Sequence, residues 1–158
     1  MNKYNAKPVI VTADGTLFEE ALVKQYKLDI NGIRFASKKE GEYYQELLPM
    51  VQDGTLSEVI CQPSYILQDA PKITYIADFL LKFADGSEII VDVKGVETPT
   101  FKLKLKLFTN LFPDKKIQIL TKHRGEWMET SEIKKKKAAQ KKIERQLLKR
   151  AAAQKGRL

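Results

Sequence analysis

Apolar and polar positions are patterned most clearly between residues 73 and 94. Residues 73–84 predict a strand whose two alternating faces are both largely apolar, which is typical of a strand inside a sheet. Asp78 is the exception, because it places a carboxylate in a buried environment. Asp85-Gly86 predicts a hairpin turn, and residues 87–94 predict the strand that follows. The pattern therefore predicts an antiparallel hairpin that carries an acid in its buried part.

A helix and another strand are predicted ahead of this hairpin. Ser37 and Glu40 have the spacing of a capping box, so we expect a helix that begins at Lys38 and ends near residue 54. Residues 57–68 predict the next strand, in which Pro63 implies an edge position or a bulge because proline cannot donate a hydrogen bond to a neighbouring strand.

A second helix follows the hairpin. Thr98-Pro99 opens it, and an apolar stripe bordered by lysines continues to Pro113-Asp114. Residues 116–121 predict a fourth strand, which we expect to be parallel to the third because a helix joins the two. The order α-β-β-β-α-β predicts an α/β fold with a mixed four-stranded sheet.

The positive charge of the chain is concentrated at its C-terminal end. The formal net charge is +8, yet residues 134–158 alone contain eleven lysines and arginines against Glu144, which leaves about −2 on the other residues. Such an asymmetry indicates a polyanionic partner, for which nucleic acid and an anionic membrane are the alternatives. We divide the chain into a weakly patterned N-terminal extension (1–30), a core (31–125) and a basic tail (126–158) that is either helical or disordered.

The triplet Asp92-Val93-Lys94 ends the third predicted strand. Residues two apart on a strand share a face, so the carboxylate and the ammonium project together. Burying one such charge costs on the order of several kcal/mol unless the charge is paired, forms hydrogen bonds or binds a metal. A structural ion pair and a functional site are both compatible with the triplet alone.

The register of the hairpin decides whether Asp78 joins this triplet. A two-residue turn would place Asp78 and Asp92 on opposite faces, whereas a three-residue loop with Gly86 in the left-handed conformation would place them side by side. Two adjacent carboxylates repel unless a cation joins them, and their hard oxygens suit Mg²⁺ or Mn²⁺. Lys94 would then act on an attacking water or on transition-state charge, and Glu40 either joins the site or only caps its helix.

These residues together resemble the PD-(D/E)xK nuclease superfamily, and within it a group of small phage and prophage proteins of unknown function. The likeness covers residues 32–122. It is carried by the blocks Phe35-Ala36-Ser37-Lys38-Lys39-Glu40, Tyr44-Gln45-Glu46-Leu47, Gln62-Pro63, Tyr75-Ile76-Ala77-Asp78-Phe79 and Asp92-Val93-Lys94-Gly95-Val96-Glu97-Thr98. The resemblance implies a restriction-endonuclease-like core.

The resemblance also implies roles for the candidate residues. Asp78, Asp92 and the Val93 carbonyl would bind Mg²⁺ or Mn²⁺, Lys94 would be the catalytic lysine, and Glu40 an accessory acid. Gln62 and either Lys104 or Lys106 are candidates of second rank, the lysine near the phosphate backbone. The lysines expected to contact DNA lie on the second helix and in the basic tail, which is outside the resemblance: Lys102, Lys104, Lys106, Lys134, Lys135, Lys136, Lys137, Lys141 and Lys142.

The function predicted on these grounds is a Mg²⁺-dependent DNA endonuclease acting in phage DNA recombination, repair or processing. A non-catalytic DNA-binding protein on a degenerate nuclease fold is the first alternative, and a membrane-surface protein docked by the tail is the second. No apolar run reaches the roughly 20 residues that span a bilayer, and no apolar signal segment follows residues 1–5. We therefore expect a cytoplasmic protein, in a bacterial host if phage-encoded, and the resemblance leaves a homodimer open.

Overall fold

The computed structural model of this chain describes residues 6–155, with side-chain environments described up to Arg150. Residues 1–5 of the predicted extension and residues 156–158 of the predicted tail lie outside this range. The elements in chain order are β1 (Val9–Thr12), β2 (Leu17–Glu19), α1 (Glu20–Gln25), β3 (Gly32–Phe35), α2 (Lys38–Gln52), β4 (Leu56–Cys61), β5 (Ser64–Gln68), β6 (Ile73–Ile76), β7 (Phe79–Phe83), β8 (Glu88–Val93), α3 (Pro99–Leu111), β9 (Ile117–His123), β10 (Glu126–Glu129) and α4 (Thr130–Lys155).

The main sheet of this mixed α/β fold has five strands in the order β10-β9-β8-β7-β4. The strands β4, β7, β8 and β9 of this sheet follow one another along the chain as predicted, with α2 before β4 and α3 between β8 and β9. The predicted four-stranded sheet is wrong by one strand, because Arg124 and Gly125 take positive φ angles and turn the chain back so that β10 pairs with β9. β4 is an edge strand, as Pro63 implied for the predicted strand 57–68. The bulge in β4 lies between Leu56 and Glu58 and not at Pro63, which follows the end of the strand.

Two predicted strands, 57–68 and 73–84, are each broken in the middle. The first is interrupted at Gln62, which has a φ of 55°, and the second at Ala77 and Asp78. The two breaks face each other, since the Gln62 N–H donates to the Asp78 carbonyl (2.9 Å) and the Ala77 N–H donates to the Pro63 carbonyl (3.1 Å). The chain thus leaves the main sheet and forms a separate two-stranded ribbon of β5 and β6.

Helix α2 begins where the capping box predicts. The Ser37 hydroxyl accepts from the Glu40 N–H, and the helix continues through Pro49 to Gln52. Its Tyr43 and Tyr44 rings lie 5.5 and 6.3 Å from the ring of Phe79 on β7. These contacts pack α2 against the β7 residues that lie on the same face as Val91, the cross-strand partner of Phe79.

Helix α3 packs on the face of the hairpin opposite to the one that α2 covers. Thr98 caps it by accepting the Phe101 N–H at 3.1 Å, in agreement with the predicted start. The ring of Phe108 is fully buried and lies 5.2 Å from the ring of Tyr75 on β6, within a cluster that includes Ile90 of β8. Asp92, two residues beyond Ile90, therefore points to the side of the sheet that α3 covers.

The N-terminal strands form a third small sheet, in the order β2-β1-β3. Gly41 lets α2 approach this sheet, because a Cβ at that position would lie only 2.5 Å from a methyl carbon of Val9. Strand β1 of the predicted extension thus pairs with β2 on one side and, on the other, with β3 at the start of the predicted core.

The chain divides into two compact units, Met1–Gln118 and Ile119–Leu158. In the second unit, α4 confirms the helical alternative for the basic tail as far as residue 155. Among residues 6–155, no helix has both the length and the apolar character needed to cross a bilayer.

Candidate active site

The hairpin adopts the register that the site requires. Its loop has three residues, since the Phe83 N–H donates to the Ser87 carbonyl at 2.9 Å and Gly86 takes a φ of +84°. The cross-strand pairs that follow are Lys82 with Glu88, Leu81 with Ile89, Leu80 with Ile90 and Phe79 with Val91. The next pair in this register brings Asp78 opposite Asp92.

Asp92 is a fully buried carboxylate whose two oxygens have different partners. Oδ2 accepts a hydrogen bond of 2.6 Å from the Tyr75 hydroxyl, while the Lys94 ammonium lies 2.5 Å from Oδ1 as an ion pair. Oδ1 itself accepts no hydrogen bond of normal geometry among the described residues. The buried charge of Asp92 is thus neutralised by Lys94, whose ammonium is the one partner of Oδ1 among the described residues.

Asp78 is half-buried at the break between β6 and β7. Its Oδ2 accepts the Val93 N–H at 2.6 Å, which ties the carboxylate to the end of β8. Burial raises the pKa of Asp78 to about 7; the Lys94 charge opposes the rise, and the charges of Asp92 and Glu40 add to it. The carboxylate of Asp78 therefore holds its proton to a higher pH than an ordinary aspartate does.

Lys94 is the cation that both carboxylates share. Burial alone would lower the pKa of its ammonium, but Asp78 and Asp92 outweigh that effect and the pKa is raised. The ammonium also lies 5.2 Å from the centre of the Phe101 ring on α3. In the metal-free protein Lys94 is consequently a protonated counter-ion, and not a base.

Glu40 serves the helix cap and also acts on the cluster. Its carboxylate accepts the Ser37 hydroxyl at 2.7 Å and the Ala36 N–H at 3.2 Å. Its charge nevertheless contributes to the raised pKa values of Asp78 and Lys94. The capping role is thus present in the structure, and Glu40 acts on the cluster through its field.

The predicted DNA-contacting lysines fall into two groups. Lys102 and Lys106 are exposed on α3, whereas Lys104 is half-buried and donates to the Thr74 carbonyl of β6 at 2.9 Å. Those of α4 are all exposed: Lys134, Lys135, Lys136, Lys137, Lys141 and Lys142.

Tyr75 is the residue of this site that the sequence pattern did not reveal. In a continuous strand, Tyr75 and Asp78 would project to opposite faces, so the alternation assigned Tyr75 only to the core. The break at Ala77 and Asp78 resets that alternation and lets both side chains approach the end of β8. A tyrosine three residues before the buried acid, together with the Gln62-Pro63 interruption, was the available signal.

The donor set of this cluster fits a hard divalent cation in kind. The two carboxylates that the hairpin register brings together, Asp78 and Asp92, and the main-chain carbonyl of Val93 are oxygen ligands of the type Mg²⁺ and Mn²⁺ prefer. Within residues 6–155, however, no group of three or more metal-binding side chains is gathered in one place. A bound Mg²⁺ would accordingly retain several waters, as this ion usually does in proteins.

The sequence matches a known family over residues 20–126, which is more than half of the chain. The family is described as "Protein of unknown function (DUF1064)", and the chain belongs to it. The matched segment contains all of Glu40, Asp78, Asp92 and Lys94. No curated protein matches the chain.

Proposed function

We propose that this protein is a Mg²⁺- or Mn²⁺-dependent DNA endonuclease of the PD-(D/E)xK type, with a restriction-endonuclease-like core. The observation that supports it most is the register of the hairpin, because it sets Asp78 opposite Asp92, whose carboxylate pairs with Lys94 at 2.5 Å. An ion pair built only for stability needs one acid. Asp78 is a second acid, half-buried and with a raised pKa. Its presence lowers the stability of the fold, which favours a functional explanation.

Each residue of the cluster has a role in this proposal. The ligands that would hold the metal are Asp78, Asp92 and the Val93 carbonyl. A metal bound there would lower the pKa of a bound water and stabilise negative charge on the phosphate. Tyr75 fixes the orientation of the Asp92 carboxylate through Oδ2, so that Oδ1 stays directed at Lys94. Lys94 is the charge that offsets the negative charge developing on the phosphate in the transition state.

The basic helix α4 supplies affinity for DNA without sequence preference. Its exposed lysines carry the excess positive charge of the chain, and such charges bind phosphates with an affinity that falls steeply with salt. The proposed roles are phage DNA recombination, repair or processing, carried out in the cytoplasm of a bacterial host.

The proposal is tested by incubating the purified protein and Mg²⁺ or Mn²⁺ with single-stranded, duplex, flap and four-way-junction DNAs. We expect cleavage of at least one substrate, complete inhibition by a chelator, and loss of cleavage in Asp78→Asn. Glu88→Gln is the matched control, because Glu88 is an exposed acid on the same hairpin. Absence of cleavage on every substrate, or equal cleavage by Asp78→Asn, would contradict the proposal.

A second candidate function is DNA binding without cleavage on a degenerate nuclease fold. It is favoured by the enclosure of Asp92, which is fully buried with Tyr75 and Lys94 against its two oxygens. A metal could reach this carboxylate only after Lys94 moves away from Oδ1. The two functions differ in one readout, since only the nuclease requires a divalent ion at the acids.

A further inference from the structure

A groove opens beside the candidate site, between β6 of the ribbon and the first half of α3. Its volume is about 390 Å³, and Asp92 and Lys94 form part of its lining. Asp78 and Glu40 do not line it. The groove therefore reaches the proposed reacting centre from the side of the lysine.

The lining combines positive charge with exposed apolar surface. Lys94 and Lys104 contribute ammonium groups, and the bond from Lys104 to the Thr74 carbonyl holds the second one in place at 2.9 Å. Ile76 and Val96 line the same groove and are 57% and 62% exposed, so each leaves an uncovered apolar surface beside the charges. A ligand that matches this lining carries an anionic group and an apolar group close together.

The size of the groove restricts the ligand further. A volume of about 390 Å³ lies near the lower end of small-molecule pockets, which span roughly 300–1,000 Å³, and is suited to one nucleotide. A base that remains stacked and paired inside a duplex cannot enter such a groove, whereas an unpaired base can be splayed against apolar side chains.

We propose that this groove binds one unpaired nucleotide of the strand that is cut, with the base against Ile76 and Val96 and the phosphate near Lys94 and Lys104. This proposal rests on the proposed function, because it assumes that the bound strand is the one that the nuclease cuts. It names the substrate class of that nuclease, which is DNA with a single-stranded segment at the cleavage position. The groove itself is a binding site whether or not cleavage occurs.

The test measures binding in the absence of metal, so that cleavage does not enter the result. Fluorescence anisotropy with the full-length protein in a chelator compares a labelled twelve-nucleotide dT strand with a twelve-base-pair duplex. Ile76→Glu is expected to weaken binding of the single strand about tenfold while leaving duplex affinity, set by the phosphate contacts of α4, within twofold. Leu22→Glu is the matched control, because Leu22 is 48% exposed on α1 and the charge change is identical.

A lysine pair provides the second comparison. Lys104→Ala is expected to weaken single-strand binding more than Lys102→Ala, since Lys102 is exposed on the same helix but lies outside the groove. A dU strand and an rU strand, which differ only in the 2′-hydroxyl, distinguish DNA from RNA as the source of the unpaired nucleotide, and weaker binding of rU than of dU is expected because the groove is proposed to bind DNA.

The outcomes separate the groove from the nuclease. Equal single-strand affinity of Ile76→Glu and Leu22→Glu, an equal loss of duplex affinity in Ile76→Glu, tighter binding of rU than of dU, or no single-strand binding by the wild type would each overturn the proposal. Selective loss in Ile76→Glu combined with no cleavage of any substrate would overturn the nuclease and leave the groove as a nucleotide-binding site.

Discussion

Two clusters of opposite charges lie in the first unit of this protein, and their environments are opposite. In the acid–lysine cluster (Asp78, Asp92 and Lys94), the Asp92 side chain is 1% exposed and Lys94 lies 2.5 Å from it. In the surface cluster (Glu20, Lys24 and Arg34), Arg34 binds both oxygens of Glu20 at 3.0 and 3.2 Å, and both cations are largely exposed.

The same types of charge have opposite effects on acidity in these two places. At the surface, the hydrogen bond from Arg34 and then that from Lys24 lower the pKa of Glu20 to about 2. In the acid–lysine cluster, burial and two further acids raise the pKa of Asp78 despite Lys94. A surface ion pair thus favours ionised carboxylates at little cost, whereas the buried cluster keeps an excess of negative charge at the expense of stability.

The largest expected effect is on the rate of catalysis, where a lysine of the buried cluster is compared with a lysine in a surface ion pair. Lys94→Met should lower the rate of Mg²⁺-dependent DNA cleavage by roughly 10²–10⁴-fold, because the variant loses the charge that offsets the transition state. Lys82→Met should leave the rate within about twofold, since Lys82 pairs with exposed Glu58 at 2.8 Å on the same sheet. Initial rates under identical metal and salt conditions measure both, and equal rates would remove Lys94 from the proposed mechanism.

A large difference is also expected in stability. Asp92→Ala should lower the free energy of unfolding by about 3 kcal/mol, because the Tyr75 hydroxyl and the Lys94 ammonium lose their buried partner. Asp92→Asn should cost less, as its amide oxygen still accepts from Tyr75. Urea unfolding of the metal-free variants measures both. A wild-type free energy of unfolding in Asp92→Ala would show that the buried pair contributes nothing.

A smaller effect is expected in the pH dependence of stability at Asp78. Because the folded-state pKa of Asp78 is raised above the unfolded value, its contribution is fully present below about pH 4 and is lost as pH rises through about 7. The stability of the metal-free wild type should therefore fall relative to Asp78→Asn between these pH values. Urea unfolding of both proteins at several pH values measures the free energy of unfolding of the wild type minus that of Asp78→Asn. A value that stays constant or rises between pH 4 and about 7 would contradict the raised pKa of Asp78.

The smallest effect is expected at Glu20, with the opposite sign. Its folded-state pKa is lowered, so its contribution is present above about pH 4.5 and is lost as pH falls towards 2. Glu20→Gln should be slightly less stable than the wild type near pH 7 and equal to it near pH 2. Thermal unfolding in low salt is the measurement, and a difference that grows towards pH 2 would be inconsistent with the Arg34 bond.

The starts of the two helices that flank the buried hairpin were more predictable from the sequence than the hairpin itself. The caps at Ser37 and Thr98 were predictable because they depend on bonds between residues three apart. The register at Asp85-Gly86 remained open, because that dipeptide suits both loop lengths, and packing of Phe79 and Ile90 on opposite faces selects one. The position of Tyr75 beside Asp92 was not predictable, since it depends on paired breaks in two strands that are distant in sequence.

The additional strand β10 was predictable in hindsight from Arg124-Gly125, a turn followed by the apolar pair Trp127-Met128. This signal is weak beside the high positive charge of the residues that follow it in the segment 126–158. Composition thus predicted the helix and its charge, while the short strand depended on turn chemistry that a charge count does not contain.

The acid–lysine cluster is proposed to be a metal centre, and direct titration of Mn²⁺ into the full-length protein tests that assignment. Isothermal calorimetry on the wild type should give one ion bound per chain, with no heat of specific binding for Asp78→Asn and an unchanged isotherm for Glu88→Gln. An isotherm of Asp78→Asn equal to that of the wild type, or no binding by the wild type, would contradict the assignment.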